Sequence, residues 1–196
     1  MNHINNEYFI LYCGSDNAPS PYTACSKEHY LIFQYPTSLR EPIYAESPAN
    51  VEENIPLIDA MELDGMPMVT NAIKRELDYL DIYEQQLLPV CYCHADESEH
   101  SYWAVMLDNS LAVYDFDKGQ YTHREADDSV SAINIRLDAD KLLVIPFTKR
   151  RMFEVKGMRS TYIVHKSVTE RLTALNAKEL HLMPQPEWDM GFGFTI

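Results

Sequence analysis

The stretch Thr161–Pro184, TYIVHKSVTERLTALNAKELHLMP, packs the signals of a strand, a helix and a second strand into one short segment. Such a segment constrains the fold more than any other feature of the chain. Tyr162, Ile163 and Val164 are aromatic or β-branched and suit a strand. Ser167-Val168-Thr169-Glu170 matches a capping box, in which a hydroxyl accepts from a backbone N–H three residues on and the glutamate reaches back. Val168, Leu172 and Leu175 then lie at i, i+4 and i+7 and form one apolar stripe. Asn176 stands where a left-handed residue ends a helix. Leu180-His181-Leu182 alternates as a strand does, and Pro184 stops it. His165, two residues before the cap, is assigned to the turn rather than to catalysis. The unit is one for packing, and nothing in it looks like a catalytic loop.

The same grammar occurs earlier. Met68-Val69 leads to Thr70, a fair N-cap, and Ile73, Leu77 and Leu80 repeat the i, i+4, i+7 spacing. Leu87 to Cys93 reads as a strand that begins at an edge or carries a bulge at Pro89, because proline cannot donate to a ladder. The two segments are an architectural echo, with too few identities to count as a sequence repeat.

Elsewhere strand signals dominate. Tyr8–Tyr12 and Tyr30–Tyr35 are aromatic-rich strands separated by turn residues. Residues 36–54 show no periodicity and read as a linker or wrapping arm. Tyr102–Leu107 and Leu111–Phe116 read as an antiparallel hairpin about Asn109-Ser110. Ile133–Leu137 alternates cleanly, and Leu142–Ile145 and Met152–Val155 read as short strands around the basic corner Lys149-Arg150-Arg151. Strands outnumber helices, and each helix lies between strands. The expected class is α+β, a mixed, largely antiparallel sheet with a few short helices packed on it. The expected division is 1–55, N-terminal strands and an arm packed on the main domain, and 56–196, the main domain.

Charge narrows the function classes. Thirty acidic residues against sixteen basic leave a net charge of −14, which repels nucleic-acid phosphates and steers in basic proteins. No apolar run is long enough to span a membrane. The first residues lack the basic and apolar regions of a secretion signal, so a cytoplasmic protein with reduced thiols is expected.

Cys91, Cys93, His94 and His100 are the tightest set of metal-ligand types. The spacing C-x-C-H-x5-H is not a paired zinc knuckle, and along a strand Cys91 and Cys93 face away from His94. A small zinc protein or enzyme using these four residues is the alternative function; otherwise no metal and no cofactor is expected. Nucleophile-elbow, Walker and dinucleotide motifs are absent from the sequence, so no catalytic residues are assigned and a non-enzymatic protein is expected. Asp115 and Asp117 share a strand face and read as solvated charges.

Five segments then carry a resemblance: MPMVTNAIKRELDYL, QLLPVCY, YWAVMLDNSLAVYDFDKG, LVIPFTKRRMFEVKG and YIVHKSVTERLTALNAKELHLMP. In this order they resemble the immunity-protein family of bacterial polymorphic-toxin systems whose type member is a myxobacterial protein. The likeness covers about residues 56–184. One departure is Ala177-Lys178-Glu179, where such families place a glycine after the last helix. The resemblance implies a cytoplasmic, non-enzymatic protein that binds and neutralises a cognate toxin; it transfers no functional residues. A self-assembling scaffold, with a homo-oligomer interface and no toxin, is a third class.

A basic toxin would be met by carboxylates on rigid supports. Asp96, Glu97 and Glu99 precede the strand at Tyr102, and Asp127 and Asp128 precede the strand at Ile133. If those strands are neighbours, both loops project from related edges, with Tyr102 and Trp103 as an aromatic anchor.

Overall fold

The computed structural model describes residues 3–14, 21–23, 42–48, 56–126, 128–158 and 160–189. Its strands are β1 (Tyr8–Cys13), β2 (Tyr22–Thr23), β3 (Ile43–Glu46), β4 (Ala60–Leu63), β5 (Met66–Val69), β6 (Gln85–Cys93) and β7 (Glu99–Leu107). They continue with β8 (Ser110–Leu111), β9 (Gln120–Arg124), β10 (Ser129–Asn134), β11 (Met152–Val155), β12 (Tyr162–His165) and β13 (Leu180–Pro184). The helices are α1 (Asn71–Leu80), α2 (Ala139–Val144) and α3 (Lys166–Thr173). The fold is α+β. A six-stranded sheet runs β2-β3-β6-β7-β5-β4, a five-stranded sheet runs β13-β1-β12-β11-β8, and β9 and β10 form a separate ribbon. Pairing is antiparallel except at β3–β6 and β8–β11. No helix among the described residues is long and apolar enough to cross a membrane.

The echo in the sequence is an echo in space. β7 pairs antiparallel with both β5 and β6, so the strands flanking α1 lie parallel with one strand between them. β1 pairs antiparallel with both β12 and β13, so the strands flanking α3 do the same. Each unit is a split β-α-β arrangement. The two helices cover one face of both sheets and meet each other: Arg171 Nε lies 2.7 Å from Glu76 Oε2, and the Arg171 guanidinium stacks 4.0 Å from the Tyr79 ring centre. Ile73, Leu77 and Leu80 of α1 and Val168 and Leu172 of α3 share one core with Leu11, Val69, Val105, Tyr162 and Val164. Each such side chain removed from water contributes about 1.5–3 kcal/mol. Tyr162 Oη, buried in that core, donates to the Val105 carbonyl at 3.2 Å and ties the sheets together.

The opposite faces are buried too. Ile43, Met61, Met68, Val90, Tyr92, Tyr102 and Ala104 form a second core under the six-stranded sheet. Tyr8, Ile10, Phe153, Val155 and Ile163 of the five-stranded sheet pack against Leu142 of α2 and Ala132 of the ribbon.

Several expectations are corrected. β1 is inserted between β12 and β13, so this N-terminal strand is an inner member of the five-stranded sheet. The hairpin about Asn109-Ser110 does not form: β7 pairs with β5 and β6, while β8 crosses to the other sheet and runs parallel to β11. Leu142–Ile145 is not a strand. Asp138 caps α2 by accepting from Asp140 N at 3.0 Å and Lys141 N at 3.2 Å, and an N-cap bond of this kind commits the following residues to a helix. The capping box of α3 is replaced by His165, whose Nδ1 accepts the Ser167 N–H at 3.1 Å, so the helix starts earlier and Ser167 lies inside its first turn. Ile133 lies at a register shift in β10 and is exposed, and the alternation expected through Leu137 breaks there. Within residues 36–54, Ile43–Glu46 is a strand and not linker. The expected strand at Tyr30–Tyr35, together with Cys25 and the tail from Met190, lies outside the described residues.

Other details follow the sequence. Asn176 takes the left-handed conformation (φ 49°) expected after α3. Pro89 precedes Val90, where the described ladder between β6 and β3 begins. Gly157, at the end of the segment Phe153-Glu154-Val155-Lys156-Gly157, has φ +78°, and a Cβ there would lie 2.8 Å from the Asp128 carbonyl oxygen. Its own carbonyl accepts from Val130 N at 2.9 Å, so the turn locks the β9–β10 ribbon to the end of β11.

Candidate protein-binding surface

β6 and β7 are nine-residue strands joined by a tight loop, and this hairpin carries the acidic tip. His94 N donates to Ser98 O at 2.9 Å and Glu97 N donates to His94 O at 3.0 Å, which closes the loop. Glu97 has φ 66°, an uncommon conformation for a side chain of its size. Asp96 Oδ1 accepts from Ser98 N at 3.0 Å and from the Ser98 hydroxyl. Those bonds hold the Asp96 carboxyl below the usual range, so it stays charged on a fixed backbone. Ser98 Oγ also lies 2.7 Å from His100 Nε2.

Beneath the tip is an aromatic stack. The Tyr92 and Tyr102 rings meet edge-on at 5.8 Å, and Tyr92 lies 5.9 Å from His94. Tyr92 Oη and Ser47 Oγ are 2.6 Å apart, fastening the end of β3 to the same hairpin. Asp96, Glu97 and Glu99 are all exposed.

The other expected members of the surface do not join them. Tyr102 is a core residue, 3% exposed, whose hydroxyl donates to the Ile58 carbonyl at 2.7 Å; it anchors nothing outside the protein. Trp103 points the opposite way, onto α1, where Nε1 donates to Asn71 Oδ1 at 2.7 Å and Lys74 Nζ sits 4.7 Å above the ring. Alternation separates the two rings: Tyr102 is buried in the core on one face and Trp103 is partly buried against α1 on the other. Asp128 lies in the turn of the β9–β10 ribbon, which pairs with neither β6 nor β7, so the two acidic loops do not flank one sheet. Asp128 is also occupied, 2.9 Å from His123 Nε2 and 3.6 Å from Lys156 Nζ. Asp127 lies outside the described residues.

The thiols and imidazoles separate likewise. Cys91 pairs across the hairpin with Ser101 and Cys93 with Glu99, so both thiols share a face with Glu99. Tyr92 pairs with His100, and His94 packs against both rings, which places the imidazoles on the other face. No group of three or more His, Cys, Asp or Glu side chains positioned for a metal occurs among the described residues. The Cys91 thiol is pushed up by burial first and by Glu99 second, opposite to an activated thiolate. Burial also pushes up Cys13.

No protein-family model and no curated protein matches this chain.

Two further surface features stand apart from the acidic tip. A groove of about 460 Å³ runs between α3 and β13, the outer strand of its sheet. Leu143, Val144 and Phe147, at the end of α2 and in the turn after it, are exposed. The continuous apolar run Leu142–Ile145 hid the latter, since without a period it does not show which members face water. The signal that could have found them is Asp138, an N-cap followed by an acidic first turn.

Proposed function

We propose that the chain is an immunity protein that binds and neutralises a cognate bacterial toxin in the cytoplasm. The observation that carries this reading is the acidic tip of the β6–β7 hairpin. Asp96 and Glu97 are exposed on a loop that is closed by backbone bonds, Glu99 is exposed at the first residue of β7, and the tip is seated on buried Tyr92 and Tyr102. Preorganised carboxylates of this kind attract a basic protein and need little ordering when it docks. The net charge of −14 and the ordered segments that resemble immunity proteins support the same reading.

The test is co-expression with the polypeptide encoded by the adjacent open reading frame. Copurification of the two and protection of the host from growth arrest are expected. A neighbouring polypeptide that neither copurifies nor is neutralised would overturn the reading.

A further inference from the structure

In this acidic protein several of the described lysines and arginines rest against a carboxylate. Lys74, Lys118, Lys141, Lys156, Lys166 and Arg171 each have one within 4 Å. The basic corner Lys149-Arg150-Arg151 is held differently. Lys149 Nζ lies 4.5 Å over the Tyr83 ring. Arg150 donates to the Ile145 carbonyl at 3.2 Å and to the Tyr8 hydroxyl at 3.1 Å, and Arg151 donates to the Leu80 carbonyl. None of these partners is an anion, so three consecutive positive charges are fixed in place without being neutralised by them.

The same corner exposes apolar surface. Leu142 of α2 points into the core with no exposure, which turns its neighbours outward: Leu143 is 58% exposed and Val144 is 83% exposed. Phe147, 40% exposed, follows in the turn, with Arg150 and Arg151 at 5.4 and 5.3 Å from its ring centre. Two adjacent exposed apolar residues at the end of a short helix, with an exposed phenylalanine three residues on, form an apolar patch of the kind that suits an interaction site.

We propose that the corner formed by α2 and the turn into β11 is a docking surface for an acidic protein segment that presents apolar side chains. Charge decides the occupant. A two-fold dimer through this corner would set its cations against one another, so a second copy arranged in that way is unsuited. An acidic segment places carboxylates on Lys149 and its neighbours while Leu143, Val144 and Phe147 cover its apolar residues. The negative charge of the rest of the molecule opposes approach, but beyond about 8 Å it is screened at physiological salt, so the local cations govern contact. The proposal stands apart from the toxin reading, which concerns a basic partner on the β6–β7 tip.

The test uses the full chain and a short fluorescent peptide of Leu and Phe interspersed with Glu and Asp. Fluorescence anisotropy is expected to show saturable binding. Replacing Leu143→Ser and Val144→Ser together should weaken it roughly tenfold. Lys149→Glu should weaken it several-fold at low salt and less at high salt. The serine pair changes exposed side chains only, and Lys149→Glu supplies a second variant on a different residue. A peptide with Lys in place of its acidic residues is the control: whatever it binds on this acidic surface, its affinity should not fall in Lys149→Glu. An acidic peptide that fails to bind, or that binds both variants as well as the parent, would overturn the proposal.

Discussion

Asn109 Nδ2 donates to the Met152 carbonyl at 2.9 Å, and this bond fastens the strand that leaves one large sheet to the first residue of β11 in the other. The same amide nitrogen lies 2.5 Å from the Lys149 carbonyl, and Glu154 N returns a bond to Asn109 O at 2.9 Å. Asn109 is 3% exposed, so water cannot replace these bonds. Asn109→Ala leaves carbonyls without a donor and should cost about 2–3 kcal/mol. Asn109→Asp faces two carbonyl oxygens with a carboxylate and should cost at least as much. Urea unfolding measures both; midpoints equal to the parent's would show that the crossing does not depend on this side chain.

His165 couples stability to pH. Burial holds it below the ordinary imidazole range; Glu7 Oε2, 3.5 Å from Nε2, works the other way without overcoming burial. Lys166 and Arg150 add to the depression. The neutral ring is also what α3 needs, because Nδ1 accepts the Ser167 N–H. With the folded pKa below the unfolded one, the unfolded chain binds more protons. The stabilisation is therefore complete above about pH 6.5 and is lost as pH falls toward the folded value. The carboxyls of Glu7, Asp96, Asp115, Asp128 and Asp138 are all lowered, so their contributions are lost only at more acid pH, below about 4. Thermal melts of the parent should soften from about pH 6.5 downward. In His165→Asn, which keeps a capping acceptor, the part of that loss due to His165 should be missing. Parallel profiles for the two proteins between pH 5 and 6.5 would contradict this role.

What could be read from sequence was local. β12, α3 and β13 were legible because each signal, from Tyr162 to Pro184, lies within a few residues of the structure it specifies. The Asn109–Ser110 hairpin failed because β8 finds its partner some forty residues away in β11, and pair preference at a turn carries no information about that. Local chemistry misled at α3, where a histidine did the work assigned to a serine. At the acidic tip the loop carboxylates were legible, but the rings behind it were not. Alternation shows that Tyr102 and Trp103 face opposite sides; it does not show that both sides are covered.

Tyr102 tests that correction directly. Its hydroxyl donates to the Ile58 carbonyl from a buried ring, so Tyr102→Phe should cost about 1–2 kcal/mol. Because the ring is not at the surface, association with a bound partner should not change. Loss of binding without loss of stability, read by interferometry and by unfolding of the same sample, would return Tyr102 to the interface.

The acidic tip is tested by reversing its charge. Asp96, Glu97 and Glu99 changed together to Lys place three cations where the proposed basic toxin would approach. Asp96→Lys removes the acceptor for Ser98, so the tip loosens, but the loss is confined to an exposed loop. The sheet below is held by the β6–β7 ladder and by Tyr92, which the substitutions do not touch. Steering by charge acts mainly on the association rate and fades as the screening length falls from about 10 Å at 0.1 M salt to about 3 Å at 1 M. The triple variant should therefore associate with the cognate toxin more slowly than the parent at low salt, and the two rates should converge as salt is raised. Asp128→Lys is the control, because that carboxylate sits on a separate ribbon and is paired with His123 and Lys156. A triple variant that associates as fast as the parent in low salt would place the toxin-binding face away from the β6–β7 tip.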